Sequence, residues 1–258
     1  MLWRMQWHFL ASAPDDGAMN MARDEALMRW TARTGQAVFR VYGWSAPTLS
    51  LGRNQRARGC YNLEAAGARG IGIVRRPTGG RALLHHREIT YSATLPAADA
   101  AAASAAYALI NDILLDALGR LGAPAAMATA GKALPPGLRP CFDAPSTHEI
   151  AIGDRKLVGS AQWRHEGALL QHGSILVDDD QHWIGELLLT DSEPPTPAAT
   201  LRDALGRAPT LEETAAVIRE ALEARIGEVA AFADEAALEA STVDLARDYR
   251  DDAWTWRR

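Results

Sequence analysis

Cysteine is scarce in this chain: its 258 residues hold two, Cys60 and Cys141, too few for a disulfide framework. Cys141 sits in a polar loop, so a reactive thiol is the better reading there than a disulfide to Cys60. A metal centre lacks its signature too, since no Cys or His pair has the close ligand spacing of a structural zinc site and no HExxH helix is present. Positive charge is not in excess. Lys and Arg number 27 against 32 Asp and Glu, a formal net charge of −5, which leaves no electrostatic footprint for nucleic acid. The opening MLWRMQWHFL is apolar but short, without a small-residue cleavage site or a span of about 18 apolar residues. A cytoplasmic protein with no membrane attachment is expected.

What is present suffices for a buried core, since 48% of the residues are hydrophobic. Arginines concentrate locally at Arg53, Arg56, Arg58, Arg69, Arg75, Arg76, Arg81 and Arg87. Such a cluster suits an acidic partner or a phosphate-bearing ligand, and it equally suits a solvated charged face.

The chemistry concentrates between Cys141 and Leu176, CFDAPSTHEIAIGDRKLVGSAQWRHEGALLQHGSIL. EIAI alternates polar and apolar until Gly153-Asp154 turns the chain, and RKLV then delivers Lys156 into Gly159-Ser160-Ala161-Gln162. A glycine there lets a ligand or another backbone come close. A third strand, ALLQHGSILV, follows the turn at His165-Glu166-Gly167. The pattern places a thiol, an amine and an imidazole (Cys141, Lys156, His172) on one cleft of a small antiparallel sheet.

Elsewhere, Met19, Ala22, Ala26 and Trp30 recur at helical spacing after Asp15-Asp16-Gly17 and read as a core stripe. AVFRVYGW and PTLSLG suggest two short strands. YNLEAAGARG suggests a helix closed by Gly70, and GIGIV a strand delivering Arg75 and Arg76 into the turn Pro77-Thr78-Gly79-Gly80. Backbone N–H groups approach an acyl carbonyl or a phosphate only where no side chain intervenes, which is what the glycine pair permits. Ile89, Tyr91, Ala93 and Leu95 alternate with Thr90, Ser92 and Thr94, a strand with one buried face. Taken alone, His85 and His86 read as a structural hydrogen-bonding pair.

From Asp99 to Leu121 an alanine-rich helix carries Ala106, Ile110, Ile113, Leu114, Ala117, Leu118 and Leu121 on one face. The loop GAPAAMATAGKALPPGLRP after it has four prolines and little periodicity, and is expected to be mobile and able to gate Cys141. SEPPTPAA marks a boundary, and Thr210 with Glu213 forms a capping-box pattern ahead of a helix.

Three segments in this order, RRPTGGRALLHHREITYSATLP, RKLVGSAQ and HGSIL, resemble the lipoate and biotin ligase superfamily of acyl-transferring enzymes, as does the run LGRNQ. The resemblance covers nearly the whole chain. A cysteine in PCFDAPSTHEI is similar to the cysteine-dependent octanoyltransferases that start lipoate assembly. One departure is Asp248, ahead of Tyr249 where a lysine is common.

The resemblance implies an α+β fold with a mixed large sheet and a small antiparallel sheet flanked by helices. It implies a catalytic domain over residues 1–190 with a helical C-terminal segment, 191–258, packed on it and no separate accessory domain. It implies Cys141 and Lys156 as catalytic residues. Substrate would be bound by Arg75, Arg76, Thr78, Gly79, Gly80, His85, Gly159, Ser160, Ala161, His172 and Gly173, with no metal.

The implied partners are octanoyl-acyl carrier protein as donor and a lipoyl-domain protein or glycine-cleavage H protein as lysine acceptor, with a monomer that binds neither nucleic acid nor membrane. No cofactor is implied. The alternative is an ATP-dependent lipoate ligase using ATP and magnesium, with Cys141 incidental; a non-catalytic acyl-binding homologue is weaker still. Met21, Leu83 and Leu170 are candidate linings for the acyl chain, with core packing as the plainer role for each.

Overall fold

The computed structural model describes residues 5–128, 149–190 and 195–258. The chain opens with β1 (Trp7–Ala11) and α1 (Gly17–Thr34). The carboxylate of Asp16 accepts the Met19 N–H at 2.8 Å to start α1, and Gly35, at φ 72°, ends it. There follow β2 (Ala37–Tyr42), β3 (Thr48–Leu51), α2 (Leu63–Ala68), β4 (Gly72–Arg75), β5 (Leu83–His85) and β6 (Glu88–Pro96). Next come α3 (Ala100–Leu121), β7 (Ala126–Met127), β8 (Ile150–Ile152), β9 (Arg155–His165) and β10 (Ala168–Leu176). The remainder forms α4 (His182–Leu187), α5 (Leu201–Leu205), α6 (Leu211–Ile226), β11 (Val229–Ala231), α7 (Glu235–Arg250) and α8 (Asp252–Thr255).

Eight strands form a mixed sheet in the order β11-β1-β2-β6-β10-β9-β8-β7, and three form a small sheet in the order β4-β3-β5. Two expectations need correction. The small sheet is mixed rather than antiparallel: β3 pairs antiparallel with β5 but parallel with β4, because α2 carries the chain back across it. The hairpin bearing Lys156 also belongs to the large sheet, since β10 pairs with β6 from Ala168↔Pro96 to Leu176↔Glu88 and carries β9 with it. Glu166 and Gly167, at φ 48° and 78°, form the two-residue turn between β9 and β10.

β6 differs from its reading as well. Nearly all of it is buried, on both faces. Ile89, Tyr91, Ala93 and Leu95 join the main core with α3 and α6, while Thr90, Ser92 and Thr94 meet polar groups on the other side of the sheet. Thr31 of α1 bonds Thr94 at 2.8 Å there, and Ser92 donates to Asp24 at 2.7 Å. The stripe of Ala22, Ala26 and Trp30 packs instead on α7, against Leu238, Leu245, Ala246 and Tyr249.

Helix α3 is long and apolar enough by length and composition to cross a membrane, and its apolar face is buried in the core through Ala106, Ile110, Ile113, Leu114, Ala117 and Leu118. Residues 195–258 contribute α5 to α8 and also strand β11, paired parallel with β1. Leu201, Ile218, Leu222 and Val229 share one core with the strands of the first half. Half of the capping box forms: Thr210 Oγ1 accepts the Glu213 N–H at 3.1 Å, while the Glu213 carboxylate pairs with Arg207 rather than reaching back to the Thr210 N–H.

Candidate active site

Two glycines bring the site together. A Cβ on Gly173 of β10 would lie 2.5 Å from the Gly159 carbonyl oxygen and 2.7 Å from the Tyr91 ring, so only glycine lets β9 pass this close. A Cβ on Gly52 would lie 1.9 Å from the Gly80 carbonyl oxygen, so only glycine lets the 77–80 turn sit against the end of β3. Between them lies a cleft lined by Arg76, Gly80, His85, Gly159, Ser160, Ala161, His172 and Gly173, with Met21, Tyr42, Leu83, Thr90 and Ser174. The arginine–glycine turn and the lysine strand thus face one cavity.

Arg76 holds the turn from inside. Its Nη1 donates to the Ser50 carbonyl at 3.0 Å, and its Nη2 donates to the carbonyls of Gly79 and Arg81 at 2.8 and 2.7 Å. Arg75 turns the other way, donating to the carbonyls of Thr255, Gly52 and Gln55. Burial, with the nearby charges of Arg257, Arg76 and Arg258, lowers its pKa to about 10. It therefore ties the 52–55 loop to the C-terminal helix and does not line the cleft.

A buried network forms the floor. Asp24 of α1 accepts from Arg40 Nη1 at 2.7 Å, Ser92 Oγ at 2.7 Å and Tyr42 OH at 3.0 Å, and its Oδ2 lies 3.0 Å from His172 Nδ1. His172 Nε2 lies 2.6 Å from Thr78 Oγ1. Burial pushes the Asp24 carboxyl up, but the His172 hydrogen bond and the Arg40 charge outweigh it and hold the group below the usual carboxylate value. Burial pushes the Tyr42 phenol well up, and the Asp24 charge adds to it.

His85 is set similarly, with Nδ1 at 3.2 Å from Glu88 Oε1, Nε2 at 2.9 Å from Ser50 Oγ, and the Trp44 ring stacked at 3.9 Å. Burial lowers its pKa despite the Glu88 carboxylate, so the ring is neutral at pH 7. His86 stacks on Trp183 instead.

The other residues singled out in the sequence divide. Lys156 is buried on β9, its Nζ 2.7 Å from Glu149 Oε1. Thr78 is buried behind the cleft wall, and Gly79 contributes its carbonyl to Arg76. Met21 and Leu83 line the cleft, whereas Leu170 packs with Met28 and Ala168. Cys141 and most of the loop before it lie outside the described residues. Asp24, Arg40, Tyr42 and Glu88 escaped the sequence reading. Their signal was a carboxylate four residues after Asn20 inside a buried helix, and charges set within strands of otherwise apolar alternation.

Residues 16–223 match the lipoyl protein ligase A/B catalytic domain. The chain belongs to that family. It is similar to the octanoyltransferase LipM of Kyrpidia tusciae, 40% identical over 224 residues that cover 83% of this chain and 78% of that one. The octanoyltransferase LipM of Geobacillus kaustophilus is 34% identical, with 98% of each chain covered. Among solved structures, protein Ta0514 of T. acidophilum with bound lipoic acid has a TM-score of 0.77 at 20% identity, covering 98% of this chain and 100% of that one. Lipoate-protein ligase A bound with ATP has 0.76, also at 20% identity, covering 98% and 99%. These two likenesses establish the family fold, with its large mixed sheet and small sheet flanked by helices.

Proposed function

We propose that the protein transfers an octanoyl group from octanoyl-acyl carrier protein, through a thioester on Cys141, to a lysine of a lipoyl-domain protein or glycine-cleavage H protein, the first step of lipoate assembly. The reading is carried by 34–40% identity to octanoyltransferases over most of both chains. Members of one fold family run different chemistries, so the ligase-like fold alone does not choose between transferase and ligase.

The donor thioester is already activated, so the exchange needs no ATP. A thiol of pKa about 8.5 costs roughly 2 kcal/mol to ionise at pH 7, and the Lys156 ammonium is the proposed charge that lowers this cost. The backbone of Gly159-Ser160-Ala161 and the Gly79-Gly80 turn are the proposed donors to the developing oxyanion. Arg76, His85, Met21 and Leu83 line the cleft proposed for the acyl chain. Burying its methylenes at about 0.8 kcal/mol each gives roughly 5 kcal/mol, enough to select a medium chain over acetyl.

The test is to incubate the protein with octanoyl-acyl carrier protein, or separately with octanoate, ATP and magnesium, and to read the intact mass. One octanoyl added from the carrier protein alone is expected. An acyl-adenylate formed only with ATP would establish the ligase reading instead.

A further inference from the structure

Most exposed arginines of this chain sit beside a carboxylate: Arg87, Arg202 and Arg250 pair with Asp180, Asp178 and Asp16 at 2.6 to 2.8 Å. Arg53, Arg56, Arg58 and Arg257 have no carboxylate within ion-pair distance among the described residues. Three of them meet carbonyls instead, Arg53 Nη1 donating to Pro77 at 3.4 Å, Arg58 Nε to Trp256 at 2.7 Å and Arg257 Nη2 to Arg53 at 3.1 Å. They form one face, because the Ala57 and Arg58 N–H groups donate to the Arg258 oxygen at 3.1 and 2.9 Å and so hold the 53–58 loop against residues 256–258. Arg56 and Arg58 are exposed, and Arg53 and Arg257 are half-buried. Beneath them Arg75 is fully buried with its Nη2 unpartnered, and Arg257 Nε is a second buried donor without an acceptor. Positive charge left uncompensated in a chain of net charge −5 is a binding feature for an anion rather than a packing feature.

This face adjoins the cleft. Arg53 follows Gly52, which packs on Gly80, and its N–H donates to the Thr78 carbonyl at 2.8 Å. Its guanidinium lies 5.0 Å from the centre of the Trp163 ring and 5.6 Å from that of Trp254, over which Arg257 lies at 4.3 Å. Gly159, Ala161 and Trp163 alternate onto one face of β9, so Trp163 stands one step beyond the cleft lining. Arg53 therefore reaches from the 77–80 turn to the lysine-bearing strand. Two carboxylates share the hollow with Arg53, Trp163 and Trp254. Glu25 is taken up by Arg29 and by the Tyr249 hydroxyl at 2.6 Å, and Asp248, on α7, is outside ion-pair distance of all four arginines.

Octanoyl transfer brings two macromolecules to the cleft, and their charges differ. The donor carries its acyl chain on a phosphodiester-linked arm, an anion, whereas the acceptor presents a lysine ammonium, which an arginine face repels. We propose that the face formed by Arg53, Arg56, Arg58 and Arg257 docks the octanoyl-acyl carrier protein, holding the arm's phosphate and an acidic surface around it while the acyl chain enters the cleft; this rests on the octanoyl-transfer reading. Guanidinium groups suit the task, since they stay charged at any working pH and present several donors in one plane to phosphate or carboxylate oxygens. Exposed and unpaired, they also steer an anionic partner toward the cleft, an effect that salt screens.

The experiment compares two donors of the same thioester. Full-length protein and its Arg56→Glu/Arg58→Glu variant are loaded from octanoyl-acyl carrier protein or from octanoyl-pantetheine, which lacks both the phosphate and the protein. Loading from limiting carrier protein should fall about tenfold or more in the variant and respond less to added salt, while loading from octanoyl-pantetheine stays unchanged. Arg56→Lys/Arg58→Lys should keep most of the carrier-protein rate, and Arg33→Glu, at an exposed arginine on α1, should change neither rate. Should the double variant not fold, Arg56→Glu alone replaces it, at an exposed side chain bonded to none of the described residues. Equal losses with both donors, or no loss with either, overturn the docking face, as does normal loading followed by slower transfer to a lipoyl-domain protein. Failure of the unaltered protein to load from either donor is a separate outcome, which removes the octanoyl-transfer reading itself. Direct binding of the carrier protein then decides the face, and equal binding by the unaltered protein and the variant overturns it.

Discussion

At the scale of residues, the floor of the cleft is held by charges that no apolar pattern announces. Asp24 and Arg40 are both fully buried and 2.7 Å apart. Removing one partner of such a pair strands the other, at a cost of roughly 3–5 kcal/mol. Asp24→Asn should therefore lower the denaturation midpoint far more than Asp16→Asn, whose amide oxygen can still cap α1; equal losses would mean that Arg40 finds another partner. His85 gives the pH signature. Its folded pKa is lowered by burial, so the unfolded chain binds the proton first as pH falls below about 6.5. The stability it contributes is fully present above that pH and is lost progressively below it. Melting temperatures of the protein and of His85→Gln should converge between about pH 6.5 and 5, and curves that stay parallel there would contradict a neutral His85. Of the buried residues here only His85 drew notice in the sequence, as half of a histidine pair and through the family resemblance. Asp24 was hidden because α1 packs one face on α7 and another on the large sheet, so its apolar stripe shows in the sequence while the polar face toward the sheet reads as solvent-facing.

At the scale of elements, the β8–β9 and β9–β10 hairpins and α3 were legible, because Gly153-Asp154, Glu166-Gly167 and the spacing from Ala106 to Leu118 are local signals. The sheet they join was not. Whether the hairpin extends the large sheet or forms its own depends on β6, more than seventy residues upstream of β10's end, and no local pattern records that pairing. The same non-local contact explains why β6 is buried on its threonine face. Gly52 shows how tightly the elements are set: Gly52→Ala places a methyl against the Gly80 carbonyl, so it should displace the 77–80 turn and sharply reduce acyl loading. Gly67→Ala is the control, since a Cβ there meets nothing within 4 Å and α2 should gain roughly 0.5–1 kcal/mol. Equal loading by the two variants would show that the turn does not shape the cleft.

At the scale of the whole molecule, the proline-rich boundary near residue 194 separates segments in sequence more than in space. β11 extends the large sheet, and Leu222 is buried in the same core as Phe39 and Leu157. Leu222→Ala should cost about 2–5 kcal/mol and shift a single unfolding transition, followed equally by far-UV circular dichroism and tryptophan fluorescence. Two separated transitions would instead mean that the C-terminal segment unfolds on its own. The family was legible because its motifs are glycines and charges at fixed order, which the fold requires for close approach and for holding the turn. The role of Cys141 is the central claim, and one measurement addresses it directly: intact mass after mixing octanoyl-acyl carrier protein, without ATP, with the protein and with its Cys141→Ser and Cys60→Ser variants. The account predicts one hydroxylamine-labile octanoyl group on the protein and on Cys60→Ser, and no rapid, hydroxylamine-labile loading of Cys141→Ser. Cys141→Ser that transfers octanoate at full rate with ATP would contradict it.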